Sequence, residues 1–281
     1  HPDADSILDA RSNAHSDDGD GDGDGDGDGD GDGDDDNSDD QIIIRELCDR
    51  LRANDPRILN QDSVFWVNSH ARAYSEGEYI VVFQALKENT SVTHIDFRKL
   101  LKRHNSTVRS ILLAAEYLES SKTLQTVSLF FGLCQDPRDI RELHELRELI
   151  SIFFRALSRN TSVTKVIINN DVRRFGCVAF QELLTRTQSL RTIHMTNVGH
   201  RDEDFNELQT AAIASGFANN TTLRELRFKD WRAADLAPVL TALQDHPALR
   251  KIIVLASPYG LPEIEVLLRS QANVKQLTLS Y

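Results

Sequence analysis

The chain has 281 residues and a formal net charge of −12 at neutral pH, but the negative charge lies almost entirely at one end. Residues 1–40 hold 17 Asp and one Arg, a charge of −16, whereas the other 241 residues hold 31 Lys and Arg against 27 Asp and Glu, a charge of +4. The acidic isoelectric point is therefore a property of one segment, and the rest of the chain is mildly basic. No apolar run approaches the roughly 20 residues that a membrane-spanning helix needs, so we expect no membrane span.

The chain contains three cysteines, Cys48, Cys134 and Cys177, whose spacing fits neither a disulfide framework nor a metal motif. A sparse and odd-numbered set in a chain of this length is typical of free thiols in a reducing compartment. We therefore predict a cytoplasmic protein, with the nucleus as the alternative. Because the chain begins at His1 and its one methionine is Met195, we also expect a segment before His1.

The first predicted element, residues 1–40, is a disordered tail rich in Asp and Gly. Asp and Gly alternate over residues 17–36, and such a run repels itself and has no apolar side chain to bury. The six residues that start at Asp24 match the first half of an EF-hand calcium loop, but the twelfth loop position is Asp35 rather than Glu. We favour a solvating or steering tail. Binding of calcium or of basic proteins by this tail stays open.

The next segment, residues 41–74, is predicted to be an N-terminal capping unit or a degenerate first repeat. Ile43, Leu47 and Leu51 recur at helical spacing just before the turn at residues 54–56. A helix with this single apolar stripe cannot bury its apolar side without a neighbour to pack against.

From residue 75 to residue 281 the chain repeats one apolar pattern seven times, at irregular steps of 25 to 39 residues. Each copy has two apolar residues four positions apart, then a short polar turn, then a run of the type L-x-x-L-x-L. The first pair predicts one stripe of a helix, and the alternation at the end of the run predicts a strand with one buried face. The helical pairs are Val82/Leu86, Ala114/Leu118, Phe153/Leu157, Phe180/Leu184, Ile213/Phe217, Val239/Leu243 and Ile264/Leu268. The triplets are Val92/Ile95/Phe97, Leu124/Val127/Leu129, Val163/Val166/Ile168, Leu190/Ile193/Met195, Leu223/Leu226/Phe228, Leu249/Ile252/Val254 and Val274/Leu277/Leu279.

Three of the turns begin with an asparagine at the expected end of the helix: Asn89, Asn160 and Asn220. Asn tolerates the left-handed backbone conformation that often ends a helix, and this conformation is our prediction for all three. Each also starts a formal glycosylation sequon, but we interpret these sequons as turn chemistry.

This pattern resembles the leucine-rich repeats of the ribonuclease-inhibitor type, in about seven irregular copies over residues 75–281. The resemblance implies an α/β solenoid, a horseshoe with a parallel concave sheet and convex helices. The longest step between repeats includes a loop around residues 134–139, where an insertion could host specificity or be neutral.

The residues between and just after the buried strand positions are predicted to point outwards. Asp96 and Ser128 are two of them. Ten such positions are the candidate protein-binding residues: Arg98, Phe130, Lys165, Ile167, His194, Arg227, Lys229, Lys251, Ile253 and Leu255. The apolar members are binding anchors, or they are covered by loops, or the strand register is shifted slightly from the predicted one. The basic members suit an acidic partner or the acidic tail of the same chain, or they form an ordinary solvated surface.

No motif for a metal, a nucleotide or an activated nucleophile is present. His94 and His194 stand alone on different strands, and the segment at residues 141–150 lacks the second His of H-E-x-x-H. We therefore predict a chain without enzymatic activity, cofactor or metal. The weak charge of +4 and the 7% aromatic content argue against nucleic-acid binding.

The leading hypothesis is a monomeric scaffold that binds an unidentified protein through the concave face and loops, with the acidic tail steering or gating. The segment FQALKENTSV at residues 83–92 resembles repeats of tropomodulin-type actin cappers and of Ran GTPase-activating proteins. This resemblance implies the alternative of a regulator of actin or of a small GTPase. A third class is a chaperone that binds basic proteins through the tail.

Overall fold

The computed structural model describes residues 38–59, 75–97, 108–130, 140–169, 176–196, 207–255, 265, 268–269 and 274–280. The chain divides into two units, His1–Ser38 and Asp39–Tyr281, and apart from Ser38 everything described below belongs to the second. Residues 1–37 of the acidic tail, which include the candidate calcium loop, lie outside the described residues, as do Arg98 and the loop at residues 134–139. Residues 38–40, which were predicted to belong to the disordered tail, are helical.

The described residues form eight helices and seven strands, and the two kinds of element alternate from residue 76 to residue 255. The helices are α1 (Ser38–Arg52), α2 (Pro56–Leu59), α3 (Glu76–Glu88), α4 (Val108–Ser120), α5 (Ile140–Arg159), α6 (Cys177–Arg186), α7 (Glu207–Asn219) and α8 (Ala233–Ala242). The strands are β1 (His94–Asp96), β2 (Thr126–Phe130), β3 (Lys165–Asn169), β4 (Thr192–Thr196), β5 (Glu225–Lys229), β6 (Lys251–Leu255) and β7 (Gln276–Ser280).

All seven strands lie parallel in one sheet, in the order of the sequence from β1 to β7. Neighbouring strands pair without a register shift, so the middle residues of the predicted triplets occupy a single row across the sheet. That row runs Ile95, Val127, Val166, Ile193, Leu226, Ile252 and Leu277. The predicted strand positions and their shared register are confirmed.

The apolar triplets and the helical pairs meet in one continuous core. Of the 21 triplet residues, the 18 in the first six copies are buried, and Val274 packs partly buried against them. The 12 helical-pair residues of the first six copies are also buried, as is Leu268 of the seventh. Each unit therefore buries its apolar side against its neighbours, as a repeat too small to be stable alone must do.

Aromatic rings follow one another through this core from repeat to repeat. Phe154 contacts Phe180, Phe180 contacts Phe217, Phe217 contacts Phe228, and Phe228 contacts Trp231, with centroid distances of 5.3 to 6.2 Å. Ring pairs in tilted and edge-to-face arrangements at such distances add stabilisation beyond their buried area. The sheet is thus held from one side by a packed helical layer.

The three turn asparagines serve the fold through their side chains. In each, Nδ2 donates to a backbone carbonyl of the preceding unit at 2.6 Å, that of Leu51 for Asn89, Leu118 for Asn160 and Leu184 for Asn220. Each Oδ1 accepts from the backbone N–H groups two and three residues later, at 2.6 to 2.9 Å. One side chain therefore closes its own turn and ties it to the previous repeat.

The predicted left-handed conformation of these asparagines is wrong. Asn89 is extended, with φ −77° and ψ 133°, and the non-glycine residues with positive φ in the described part of the chain are Asn54 and Asp230. The hydrogen-bonded side chain supplies the constraint that a left-handed cap would have supplied. The three asparagines are 1 to 6% exposed, so the asparagine side chain of each of the three sequons is buried in the folded protein.

The predicted N-terminal unit also contacts the first repeat through hydrogen bonds of asparagine side chains. Leu51, whose carbonyl accepts from Asn89, lies in α1, and Asn54 Oδ1 accepts from the Thr90 backbone N–H at 2.7 Å. Leu47 and Leu51 of the predicted stripe are buried, together with Ile44 and Cys48. The boundary of this unit at residue 74 stays a prediction.

Candidate functional site: the open face of the sheet

The outward side chains of β3 to β6 form one accessible surface, which we call the open face. It consists of three rows of four residues, because the strands pair in register. The rows are Lys165, Thr192, Glu225 and Lys251; Ile167, His194, Arg227 and Ile253; and Asn169, Thr196, Lys229 and Leu255. All 12 keep part of their surface accessible, whereas their neighbours along each strand are buried.

Eight of the ten predicted binding residues come together on this face. They are Lys165, Ile167, His194, Arg227, Lys229, Lys251, Ile253 and Leu255. Arg98 lies outside the described residues, and Phe130 ends β2, where its side chain is not described. Whether the eight contact a partner stays a prediction.

The accessible surface does not extend evenly to the first two strands. Asp96 on β1 and Ser128 on β2 were predicted to face solvent, but they are 3% and 6% exposed. His94 Nε2 lies 3.3 Å from Ser128 Oγ. Small side chains and a carboxylate at the β1–β2 end are thus enclosed, and the open face begins at β3.

The open face carries four cations and one carboxylate. Glu225 Oε1 lies 3.4 Å from Lys251 Nζ and 3.8 Å from His194 Nε2. Lys165, Arg227 and Lys229 form no ion pair with another described residue, so the net charge of the face is positive. An acidic group arriving from outside would meet uncompensated cations here.

The pKa of His194 depends on its burial and on the charges of this face. Its pKa is lowered from the ordinary value, first by burial and then by the nearby charges of Lys165 and Arg227, against an opposing contribution from Glu225. The imidazole is therefore neutral at neutral pH. Loss of the cations, or the approach of a carboxylate, would raise its pKa.

Apolar side chains flank the charged centre of the face. Ile167 and Ile253 occupy the two ends of the row whose middle holds His194 and Arg227, and Leu255 lies beside Lys229. Arg is enriched at protein interfaces and their hot spots, and apolar neighbours of Arg227 can exclude water from its contacts. Such a surface is suited to binding a partner.

The sequence analysis missed a second basic feature, at the edge where the strands begin. Arg191, Arg224, Arg250 and Lys275 each follow the first residue of a triplet in four successive repeats, and we call them the basic ladder. The backbone N–H of each later member donates to the carbonyl of the member before it, at 2.8 to 2.9 Å. The signal was present in the sequence, because the position after each first triplet residue is basic in the last four repeats.

The described residues contain neither a metal site nor a membrane span. Over the described part of the chain no group of three or more His, Cys, Asp or Glu could hold a metal ion. None of the helices described is long and apolar enough to cross a bilayer.

Comparisons with known proteins give no close relative. No protein-family model matches the chain, and no curated protein matches it. Similar solved structures include actin-binding site 2 of leiomodin-1, with 14% identity, coverage of 82% of this chain and 89% of that one, and a TM-score of 0.32. Another is the C-terminal domain of tropomodulin from Caenorhabditis elegans, with 13% identity, coverage of 57% of this chain and 92% of that one, and a TM-score of 0.36. The helix–turn–strand units stacked on one parallel sheet fit the leucine-rich-repeat type.

Proposed function

We propose that this chain is a non-enzymatic protein-interaction platform whose partner binds the open face. One observation carries the proposal: 12 side chains on four strands in register stay accessible, and they combine apolar groups with three cations that form no ion pair with another described residue. The repeat dictates the buried side of each strand but leaves the outward side free, so the composition of that side can be fitted to a partner.

The open face alone is too small for a tight complex. Four strands at about 4.8 Å spacing and three outward positions each make a surface of only some hundreds of Å², whereas a standard interface buries about 800 Å² per partner. The partner therefore reaches beyond the strands, and we propose that loops between the repeats contribute the rest. We also propose a horseshoe of the ribonuclease-inhibitor type and a cytoplasmic location.

Actin and small GTPases remain named candidates for the partner. They come from the likeness of residues 83–92 to repeats of actin cappers and Ran GTPase-activating proteins. In the structure, Phe83, Leu86 and Val92 of this segment are buried and Asn89 closes the turn. Because these residues serve packing, the likeness supports the repeat type more than a particular partner.

The acidic tail has a proposed steering role that needs no contact. A charge of −16 on one segment attracts basic partners and repels acidic ones over distances of about a Debye length. Replacing the Asp residues of residues 17–36 by Asn should slow association with a basic partner and leave its dissociation rate unchanged.

Selection from a displayed peptide library, with purified actin tested in parallel, examines the proposed site even while the partner is unidentified. We expect selected ligands to lose at least about tenfold in affinity when Ile253 is replaced by Asp or Arg227 by Glu. Val178→Asp is the matched control, because Val178 is an apolar residue, 70% exposed, on helix α6.

Ligands whose affinity falls equally for Ile253→Asp and for Val178→Asp would contradict the open-face site. The actin alternative is tested by comparing the wild type and both variants for their effect on nucleation or capping of purified actin. If Ile253→Asp leaves this effect unchanged, actin does not bind at the open face.

A further inference from the structure

We propose that the basic ladder is a docking site for an extended acidic polypeptide segment that lies across strands β4 to β7. The ladder is a different surface from the open face, and the inference stands or falls independently of the partner proposed above. It rests on the spacing of the four side chains, on the absence of a carboxylate partner for them among the described residues, and on the loss of stability that a row of like charges causes.

The ladder has a fixed spacing because the backbone holds its members in line. The backbone N–H of Arg191 donates to the Thr164 carbonyl, and the same bond then links Arg224, Arg250 and Lys275 in turn. Adjacent strands lie about 4.8 Å apart, so the four α-carbons span about 14 Å. An extended peptide covers this length with about four residues, since each adds about 3.4 Å.

No carboxylate among the described residues pairs with a member of the ladder. Arg191 Nη1 donates to the Thr222 carbonyl at 3.2 Å, and Arg250 Nη1 and Nη2 donate to the carbonyls of Leu249 and Pro247. These bonds hold two guanidinium groups beside the starts of β4 and β6, and no described carboxylate compensates their charges. Arg224, Arg250 and Lys275 are exposed.

The fold does not need cations at these positions. In the earlier repeats Thr93, Gln125 and Thr164 occupy the same row and make the same backbone bonds. Four like charges on neighbouring strands repel one another and lower stability. A row that is neutral in three repeats and basic in the next four therefore indicates a ligand of opposite charge along the basic part.

A polypeptide fits this row better than a nucleic acid. Proteins that bind single strands stack bases on aromatic side chains. Across β4 to β7 neither the ladder nor the outward strand positions include Phe, Tyr or Trp. Arg instead offers a planar fork that binds a carboxylate through two parallel hydrogen bonds, so Glu or Asp side chains on an extended segment are the expected contacts.

The test measures binding of a fluorescent peptide with about six consecutive Glu residues to the full-length chain, by anisotropy at about 50 mM salt. The ladder variant combines Arg224→Gln, Arg250→Gln and Lys275→Gln, because Gln125 shows that Gln fits this row. We expect it to bind the peptide about tenfold more weakly than the wild type. A peptide with Gln in place of Glu should not bind, and salt at about 200 mM should weaken binding of the Glu peptide.

The control variant removes the same number of exposed charges from helices, through Arg45→Gln, Arg109→Gln and Arg155→Gln. The ladder variant should unfold at the same temperature as the wild type or higher, and this measurement separates lost binding from lost folding. The inference is overturned by equal loss of binding in the two variants, or by a wild type that does not bind the Glu peptide. Tighter, ladder-dependent binding of a single-stranded oligonucleotide of equal charge would overturn the assignment to a polypeptide.

Discussion

The two sides of this sheet follow different rules. Towards the helices, every described position on the strands is apolar and buried, and neighbouring repeats carry nearly interchangeable residues. On the open face the same strands carry Lys, Ile, His, Arg and Glu in no repeating order. The difference shows that packing sets the residues of one side, and that the other side is free to vary with what it binds.

The largest expected effect comes from truncating two adjacent residues that point to opposite sides. Ile252 is fully buried, so Ile252→Ala should lower the free energy of unfolding by about 3–4 kcal/mol through lost burial and a cavity. Ile253 lies on the open face, and Ile253→Ala should cost about 1 kcal/mol or less. Urea titrations of the two variants against the wild type measure both values.

Equal losses at Ile252 and Ile253 would mean that the open face is covered in the folded protein. The contrast between the two sides would then disappear, and with it the basis for the proposed site. The pair is informative because both changes remove the same atoms from the same strand.

The next effect concerns the turns that join the two sides. The Asn160 side chain makes five hydrogen bonds in a buried site, to the carbonyls of Leu118 and Ser121, to the backbone N–H and Oγ of Ser162, and to the backbone N–H of Val163. Asn160→Ala leaves these partners unpaired, and we expect a loss of about 2–3 kcal/mol in the free energy of unfolding.

Asn160→Ser is the matched variant, because Ser121 fills the same position one repeat earlier and accepts from the Leu124 N–H at 3.3 Å. It should recover part of the loss. Thermal or chemical unfolding that ranks Ser below Ala would show that the turn depends on shape and not on hydrogen bonds.

The buried side was predictable from the sequence because its pattern is repeated. Seven copies of one spacing identify the strands and the helical stripes, and the shared register follows from stacking identical units. The N-terminal unit was also predicted, since Leu47 and Leu51 show the helical spacing that a packed helix needs.

The open face and the turns could be predicted only in part. The positions of Ile167, Arg227 and Ile253 follow from alternation along a strand, but the burial of Asp96 and Ser128 depends on neighbours that alternation does not reveal. The asparagine turns were placed correctly and explained wrongly, because a residue type that suits two conformations does not indicate which hydrogen bonds it will make.

The third prediction compares a glycine at a close contact between two helices with a glycine that has no close neighbour. A Cβ on Gly216 of α7 would come within 2.9 Å of Leu184 Cδ1 and 3.0 Å of Gln181 Cα in α6, so Gly216→Ala should force the two helices apart. We expect a loss of about 1–2 kcal/mol. A Cβ on Gly77 meets nothing within 4 Å, and Gly77→Ala should raise stability by about 0.5 kcal/mol through helix propensity.

Denaturant midpoints of the two alanine variants give the comparison directly. If Gly216→Ala were as stable as the wild type, helices α6 and α7 would be able to move apart without loss of stability. The core would then tolerate a larger side chain at this contact than its close packing indicates.

The smallest expected effect is on the pH dependence of stability, and it compares His246 in a buried turn with His194 on the open face. His246 takes the place of the turn asparagine, and its Nδ1 accepts from the Leu249 backbone N–H at 3.0 Å. Burial lowers its pKa from the ordinary value of 6.5, and Arg250 adds to this effect. The neutral imidazole is thus favoured by the fold.

The sign of the pH dependence follows from that lowering. Because the folded-state pKa is below the unfolded value, the contribution to stability is fully present above about pH 6.5 and is lost as the pH falls through the folded-state pKa. His246→Asn restores the repeat's usual residue and should flatten the fall in unfolding free energy between about pH 7 and pH 5. An equal slope in the variant and the wild type would contradict a neutral His246.

His194 on the open face should contribute a second fall of the same sign, and salt distinguishes the two. Its pKa is lowered by burial and also by Lys165 and Arg227, whose charges are accessible to counter-ions. The pH dependence of stability that remains in His246→Asn includes the contribution of His194, and the part that the substitution removes is the contribution of His246. Added salt should therefore reduce the remaining pH dependence more than the removed part. An acidic ligand on the open face should act in the same direction as salt, because its carboxylates would raise the pKa of His194 while His246, in its buried turn, would titrate as before.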